Sequence, residues 1–368
     1  MVAGVALLLA AIGASPVAAA DPGDVTLTTA GPHGSRVLGD VAAADNIAVA
    51  WQQGSYSFMR WSTDGGATFE PQSALRGGLR ANHPRLASCG DTVWASSAWV
   101  TTDGVKVGVD WRDISSAQSG KFAVVLGSAP DVTCLGDTVA LTWQQYGRVM
   151  LAVVDGHCSN PCAPAFLADI GVFGDDYSGP HIAAFDTGFA VTWKSTGLTL
   201  STFLVTRVGD LITVTPGFEN TVLVGEDVYS PYVGADGQRI VVTYGRFGQT
   251  HMRISDNRGQ TLGPRIIVSS FCRNCYEGGS SPVSIDVRGS NILVEVSSAA
   301  GLCPRGCGST EGWFTRNDGL RWKHTPSHSW TSQIGVLLDN GIAEAWDTSE
   351  HNFGTVQQGV WFHTLALP

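Results

Sequence analysis

The chain has 368 residues, 43% of them hydrophobic and only 15% charged, with 45 Gly and 12 Trp. Its 22 Lys and Arg stand against 32 Asp and Glu, a net charge of −10, which excludes a nucleic-acid partner held by a basic face. Abundant Gly and the absence of a long 3.6-residue apolar period predict an all-β chain of short strands joined by tight turns.

The first residues read MVAGVALLLAAIGASPVAAADP. An apolar run from Val2 to Ile12, small residues after it and an Ala18-Ala19-Ala20 site before Asp21 predict a secretory signal peptide over residues 1–20, although no Lys or Arg precedes the run. One domain is expected over residues 21–368, secreted, extracellular and without a membrane span, since no stretch is long enough for one.

Residues 24–29, DVTLTT, predict a strand. Beyond it a strand-like run recurs: IAVAW ending at Trp51, VALTW at Trp143, FAVTW at Trp193, IVVTY at Tyr244, ILVEV at Val296 and IAEAW at Trp346. VWASSAW belongs with them if Ser97 is in register and Trp99, two places on, shares its strand face. That makes seven units of roughly 45 to 50 residues, the size of propeller blades. The expected fold is a single β-propeller of four-stranded antiparallel blades, seven in number, with six as the alternative. The last unit is short of its outermost strand, so residues 24–29 are expected to complete it and close the ring.

Eight cysteines, Cys89, Cys134, Cys158, Cys162, Cys272, Cys275, Cys303 and Cys307, are expected to form disulfides in an exported protein. Cys158 and Cys162 can close one small loop. The pairs Cys272/Cys275 and Cys303/Cys307 also have zinc-site spacing, and spacing alone leaves the connectivity open.

A second phrase repeats at a matching place in the longer unit. WSTDGGATF carries Ser62, Asp64, Gly66 and Phe69; ISDNRGQTL carries Ser255, Asn257, Gly259 and Leu262; FTRNDGLRW carries Thr315, Asn317, Gly319 and Trp322. The Asp or Asn can accept hydrogen bonds from turn amides, Gly supplies a positive φ, and the closing aromatic can pack back on the sheet. The phrase resembles the Asp-box (BNR) repeat of sialidase-like β-propellers. Its first copy is complete, the other two put Asn at the Asp position, and the second ends in Leu. The resemblance implies a turn between the outer two strands of a blade, away from any substrate pocket.

In a propeller the inner strands start at one mouth of the central channel. Counting back about twelve residues from each strand-ending aromatic predicts Asp40, Arg85, Asp131, His181, Tyr232, Val283 and Gln333 as mouth residues. Five of these ionise or exchange a proton, which suits a concave polar site. Nearby loops add Arg36, Arg246 and Glu226, and further Arg, Gln, Asp and aromatic residues of the kind that recognise sugar hydroxyls and carboxylates. No G-x-S-x-G, H-E-x-x-H, Walker or dinucleotide motif occurs. No cofactor or catalytic metal is expected, and the acidic pairs Asp175/Asp176 and Glu226/Asp227 can hold at most a structural calcium, without ligand-loop spacing.

Three functions follow, with carbohydrate the expected ligand. The resemblance implies a glycoside hydrolase of exo-sialidase type, whose active members use three Arg, a Tyr–Glu nucleophile pair and an Asp acid/base. By place in the repeat, Arg36, Arg85 and Arg246 would be the Arg cluster, Tyr232 with Glu226 or Glu277 the nucleophile pair, and Asp40 or Asp131 the acid. The family's Arg-Ile-Pro type motif is absent; SRVLGD at Ser35–Asp40 is the nearest stretch by position. That departure favours the second function, a non-catalytic propeller that binds glycan or protein. The third is a polysaccharide lyase acting on uronic-acid glycans, with His181 and Tyr232 as base and acid and Arg85 neutralising the carboxylate. Hydrolysis ranks first, binding second and elimination third.

Overall fold

The structure is a computed structural model, and it describes residues 25–29, 39–43, 46–53, 56–75, 79–116, 118–156, 163–174, 179–224, 228–269, 280–299, 308–325, 328–329, 333–347 and 359–366. They form seven antiparallel sheets and no helix. The fold is a seven-bladed β-propeller.

Blade 1 holds strands Gly39–Ala43, Ile47–Gln53, Tyr56–Ser62 and Ser73–Ala74, counted from the channel outward. Blade 2 runs from Leu79 to Leu126, blade 3 from Ser128 to Val172, blade 4 from His181 to Val224 and blade 5 from Val228 to Ser269. In blade 6, from Ser280, the short strand His328–Ser329 also pairs with the third strand, Gly308–Thr315. Blade 7 joins Gln333–Leu337, Gly341–Asp347 and Gly359–Ala366 to the N-terminal strand Val25–Thr29. Val25 pairs with Phe362 and Thr29 with Gly359, so the strand expected to close the ring does so.

The recurring apolar run is the second strand of each blade. It lies between two neighbouring blades, so both of its faces must be apolar, and alternation disappears. Ile47–Trp51 is buried at every position. Trp51, Trp143, Trp193 and Tyr244 are each at most 2% exposed. In blade 2 the equivalent place is Ser97, because Ser96 pairs with Arg85 as Thr142 pairs with Asp131.

The core is distributed between the blades. One cluster joins Trp94 and Val109 of blade 2 to Val132 and Trp143 of blade 3. Another joins Leu27, Val360 and Phe362 of blade 7 to Ile47, Val49 and Trp51 of blade 1. The cluster between blades 6 and 7 is small: Leu293, Phe314, Leu337 and Ile342. Glu295 and Glu344 are fully buried on the central strands of these same two blades.

The three repeated turns share one geometry. The Ser62 hydroxyl donates to Asp64 Oδ1 at 2.7 Å and accepts from the Gly66 amide at 2.8 Å, while the Thr68 amide donates to Asp64 Oδ1 at 2.9 Å. Ser255, Asn257, Gly259 and Thr261 repeat these bonds, as do Thr315, Asn317, Gly319 and Arg321. Asn substitutes for Asp because both bonds fall on Oδ1. The three glycines have φ of +92°, +85° and +81°, where a side chain is strained. Hydrogen bonds from Thr68 and Ser62 hold the Asp64 carboxyl down at about 2. Phe69 packs edge-on against Phe362, with ring centroids 4.9 Å apart.

An arginine two places before the turn serine adds a clamp. Arg60 donates to the carbonyls of Glu70 at 2.7 Å, Phe69 at 2.8 Å and Leu27 at 2.7 Å. Arg253 donates in the same way to Gly263, Leu262 and Val222. Each guanidinium ties its own turn to the outermost strand of the preceding blade. In blade 6 the equivalent residue is Trp313.

Cys89 and Cys134 form a disulfide, with Cα atoms 6.2 Å apart, between the inner strands of blades 2 and 3. The other six cysteines lie outside the described residues.

Candidate functional site

The site starts with proline. Pro180 directly precedes the inner strand of blade 4, and Pro84, Pro130, Pro231 and Pro282 lie within the first half or so of the inner strands of blades 2, 3, 5 and 6. Proline has no amide hydrogen, so it tolerates the unpaired place in a sheet. Register shifts fall there: between Asn82 and Arg85, Ser128 and Asp131, Tyr229 and Tyr232, and Pro282 and Ser284. Ala129, Gly179 and Ser230, the residues before three of these prolines, have φ of +48°, +80° and +48°. Such bulges re-aim the side chain that follows, here into the channel.

A cavity of about 280 Å³ opens there, built by the inner strands of blades 2 to 7. Arg85, Asp131, His181 and Tyr232 all line it. Four of the seven expected mouth residues are thus brought together. Arg85 Nη2 reaches from blade 2 to donate to the Tyr232 hydroxyl of blade 5 at 3.0 Å. The Tyr232 and His181 rings are stacked with centroids 3.8 Å apart. His181 Nδ1 is 3.0 Å from Asp131 Oδ2. Asp131 also accepts from the amides of Val132 at 2.9 Å and Ile182 at 3.1 Å. With three donors on it, the carboxylate fixes the imidazole tautomer that carries its proton on Nδ1.

Exposure separates the roles. His181 is 3% exposed and lies behind Tyr232; Tyr232 is 9% exposed, and Arg85 is more open. The phenol hydroxyl and the guanidinium are the groups a ligand would meet. The imidazole and Asp131 position the phenol ring.

Asp286, on the opposite side of the cavity, was not among the expected residues. It accepts from the Leu337 amide at 2.7 Å and the Val287 amide at 2.9 Å, and burial pushes its carboxyl above the usual range. Asp131 and Asp286 each bind the amide of the residue fifty-one places on, one blade further round. Alternation made Asp286 findable: Ser284 and Asp286 are two apart on one strand face, and both line the cavity.

The remaining expected residues fall elsewhere. Val283 sits in the bulge, and its neighbour Ser284 lines the cavity instead. Gln333 pairs with Trp346, one place short of the register in which Asp40 pairs with Ala50. A one-residue step turns a side chain to the other face; Gln333 is fully buried and donates to Thr325 Oγ1 at 3.3 Å, outside the cavity. Arg246 ends the second strand of blade 5 with its guanidinium 4.7 Å from the Phe247 ring centroid. Asp40 lies on the first strand of blade 1, and its side chain is outside the described residues, as are Arg36, Glu226 and Glu277. The calcium candidates Asp175, Asp176, Glu226 and Asp227 lie outside them too. Among the described residues no three His, Cys, Asp or Glu converge as metal ligands.

No family profile matches the chain, and no curated protein matches it in sequence. Solved structures do match. One is the phage phi92 endosialidase, with a TM-score of 0.53 at 9% identity, covering 94% of this chain and 69% of that one. A polysaccharide lyase, an ulvan lyase bound to -[GlcA(1-4)Rha3S]-, gives 0.53 at 8% identity, covering 93% and 96%. The β-propeller domain of the Trilobed protease from Pyrococcus furiosus gives 0.53 at 9% identity, covering 90% and 94%. At these identities the likeness is one of fold, and it is the propeller that the three share with this chain.

Proposed function

We propose that this protein is a secreted sialidase-like Asp-box propeller that acts on acidic carbohydrate at the channel mouth, cleaving it by β-elimination next to a uronate carboxylate. One observation carries the reading: Arg85, Tyr232, His181 and Asp131, drawn from four blades, meet in one cavity as a guanidinium, a phenol and a buried imidazole–carboxylate pair. Secretion rests on the signal-like first twenty residues, and the Asp-box assignment on the three repeated turns.

The chemistry follows from those groups. An arginine has five donors, enough to hold the phenol and a substrate carboxylate together. A guanidinium beside an ionisable hydroxyl favours its ionised form. Tyr232 as phenolate takes the proton from the carbon next to the carboxylate. The electron pair forms a carbon–carbon double bond, the bond to the leaving glycosidic oxygen breaks, and that oxygen takes a proton from the phenol. Arg85 stabilises the charge that builds on the carboxylate in between. His181 and Asp131 keep the phenol ring in place.

A second reading, hydrolysis, is favoured by Asp286. Burial raises its carboxyl, and a carboxyl raised in this way can hold a proton for a leaving group. Fold neighbours include an endosialidase and an ulvan lyase, so the fold suits either chemistry and licenses neither. Mass spectrometry of products from uronate-containing and sialylated glycans separates the two. Unsaturated ends without added water support elimination, fragments heavier by one water support hydrolysis, and intact glycan rejects both.

A further inference from the structure

The second and third strands of blades 3 and 5 are joined by two-residue turns, Tyr146-Gly147 and Phe247-Gly248. Tyr146 and Phe247 have φ of +51° and +50°, and their glycines +73° and +72°. These are type I′ turns, whose first position favours Asn, Asp or Gly; a bulky side chain there is an outlier that costs stability. Burial does not account for the choice, because Tyr146 is 84% exposed and Phe247, beside the Arg246 guanidinium, 67%.

Both turns stand on the face that carries the cavity. Gln144, two residues before Tyr146, pairs near Ser128, at the start of the strand that carries Asp131. Arg246, immediately before Phe247, pairs with Val228, at the start of the strand that carries Tyr232. The two aromatics therefore flank blade 4, whose inner strand begins with His181. Tyr56, 55% exposed, and Val105 open the third strands of blades 1 and 2 on the same face, whereas Val208, Leu211 and Leu320 lie beside turns between third and fourth strands, at the far end of the blades.

We propose that Tyr146 and Phe247 are paired stacking platforms that hold an extended acidic polysaccharide across the mouth, so that the cavity works within a chain and not only on its free end. The proposal rests on the carbohydrate reading of the cavity. Single aromatic faces set apart by a whole blade suit the apolar faces of sugar rings spaced along an extended chain; a protein partner would want one continuous apolar patch. Arg246, over the Phe247 ring, adds a cation beside the second platform for a carboxylate on a neighbouring sugar. The strained backbone then has a reason at both places.

The test is calorimetric binding of polygalacturonate, polysialic acid and digalacturonate to the full chain and its variants. Tyr146→Asn and Phe247→Asn suit the positive φ, so melting temperatures should hold or rise. Each is expected to weaken polymer binding about tenfold, the loss of one aromatic anchor, with digalacturonate binding unchanged. Arg85→Ala should weaken both ligands. A double variant that binds polymer as tightly as wild type, or that loses polymer and dimer equally, overturns the proposal while leaving the cavity reading standing. Polymer binding that survives Arg85→Ala but not the double variant supports the platforms and removes the cavity reading. Wild-type protein that binds neither polymer overturns both.

Discussion

Replacing Arg60 by Met removes three hydrogen bonds from a cation to main-chain carbonyls. Bonds to charged groups contribute about 1.5–3 kcal/mol each. The Glu70 carbonyl is exposed, and water can take the place of its donor. The Phe69 and Leu27 carbonyls are part-buried, so their loss comes to roughly 3–6 kcal/mol. Part of that is returned, because burial opposes the charge on Arg60 and lowers its pKa. The expected net loss is about 2–4 kcal/mol, or roughly 3–6 °C in Tm for a domain of this size. Arg60→Lys should recover little, since one ammonium cannot reach three carbonyls in a fork. Arg253→Met should melt similarly, as its three bonds match. Hydrogen exchange then separates the two: only Arg60→Met should speed exchange along Val25–Thr29, because only Arg60 holds Leu27. An Arg60→Met variant within about 0.5 kcal/mol of wild type, the ordinary range of surface changes, or a Lys variant that restores stability, would refute the clamp.

Tyr232→Phe keeps the ring over His181 and loses the hydroxyl; turnover should fall about 10²–10⁴-fold with Tm unchanged, and a variant with wild-type rates removes Tyr232 from the chemistry. Glu295 is pushed well above its ordinary 4.5 by burial and then by Glu344 and Glu311. The unfolded chain ionises near 4.5 while the folded one keeps its proton, so stability falls as pH rises through 4.5 toward the folded value, then levels off. Glu295→Gln should therefore melt higher than wild type at pH 7.5 and converge with it below pH 4.5, as thermal scans across pH would show. Parallel curves would rule the buried proton out. Replacing Cys89 and Cys134 by Ser opens a cross-link spanning 45 residues, a loss of about 4 kcal/mol by chain entropy; denaturant titration that finds none would place the constraint elsewhere.

The blade count was legible because a strand sandwiched between blades must be apolar on both faces, and IAVAW, VALTW, FAVTW and IVVTY show that directly. Arg85, Asp131, His181 and Tyr232 were legible because each stands twelve residues before its reference position. Val283 and Gln333 stand thirteen before theirs; a strict count lands on Ser284 and Ile334, and one residue changes the face. Asp286 lies deeper along its strand than the mouth, and only the alternation carried two places past Ser284 reaches it. The Arg60 and Arg253 clamps are spelled as Arg-x-Ser ahead of the turn, but their partners sit on the blade before, a relation only the closed ring supplies. Glu295 was visible as the one charge in ILVEV and was read as part of the apolar run. Which cysteine met Cys89 depended on blades 2 and 3 being neighbours, which spacing does not encode.

The pairing of Val25–Thr29 with Gly359–Ala366 sets an order on the protein's making. Blades 1 to 6 are each built from consecutive residues and can pair as they emerge from the ribosome. Blade 7 cannot, because its outer strand precedes blade 1 in the chain and that strand's partner follows blade 6. Until residues 359–366 arrive, Leu27 has no Phe362 beside it, and the seam between blades 7 and 1 exposes its apolar faces. An unclosed ring leaves uncovered the kind of apolar seam that chaperones bind.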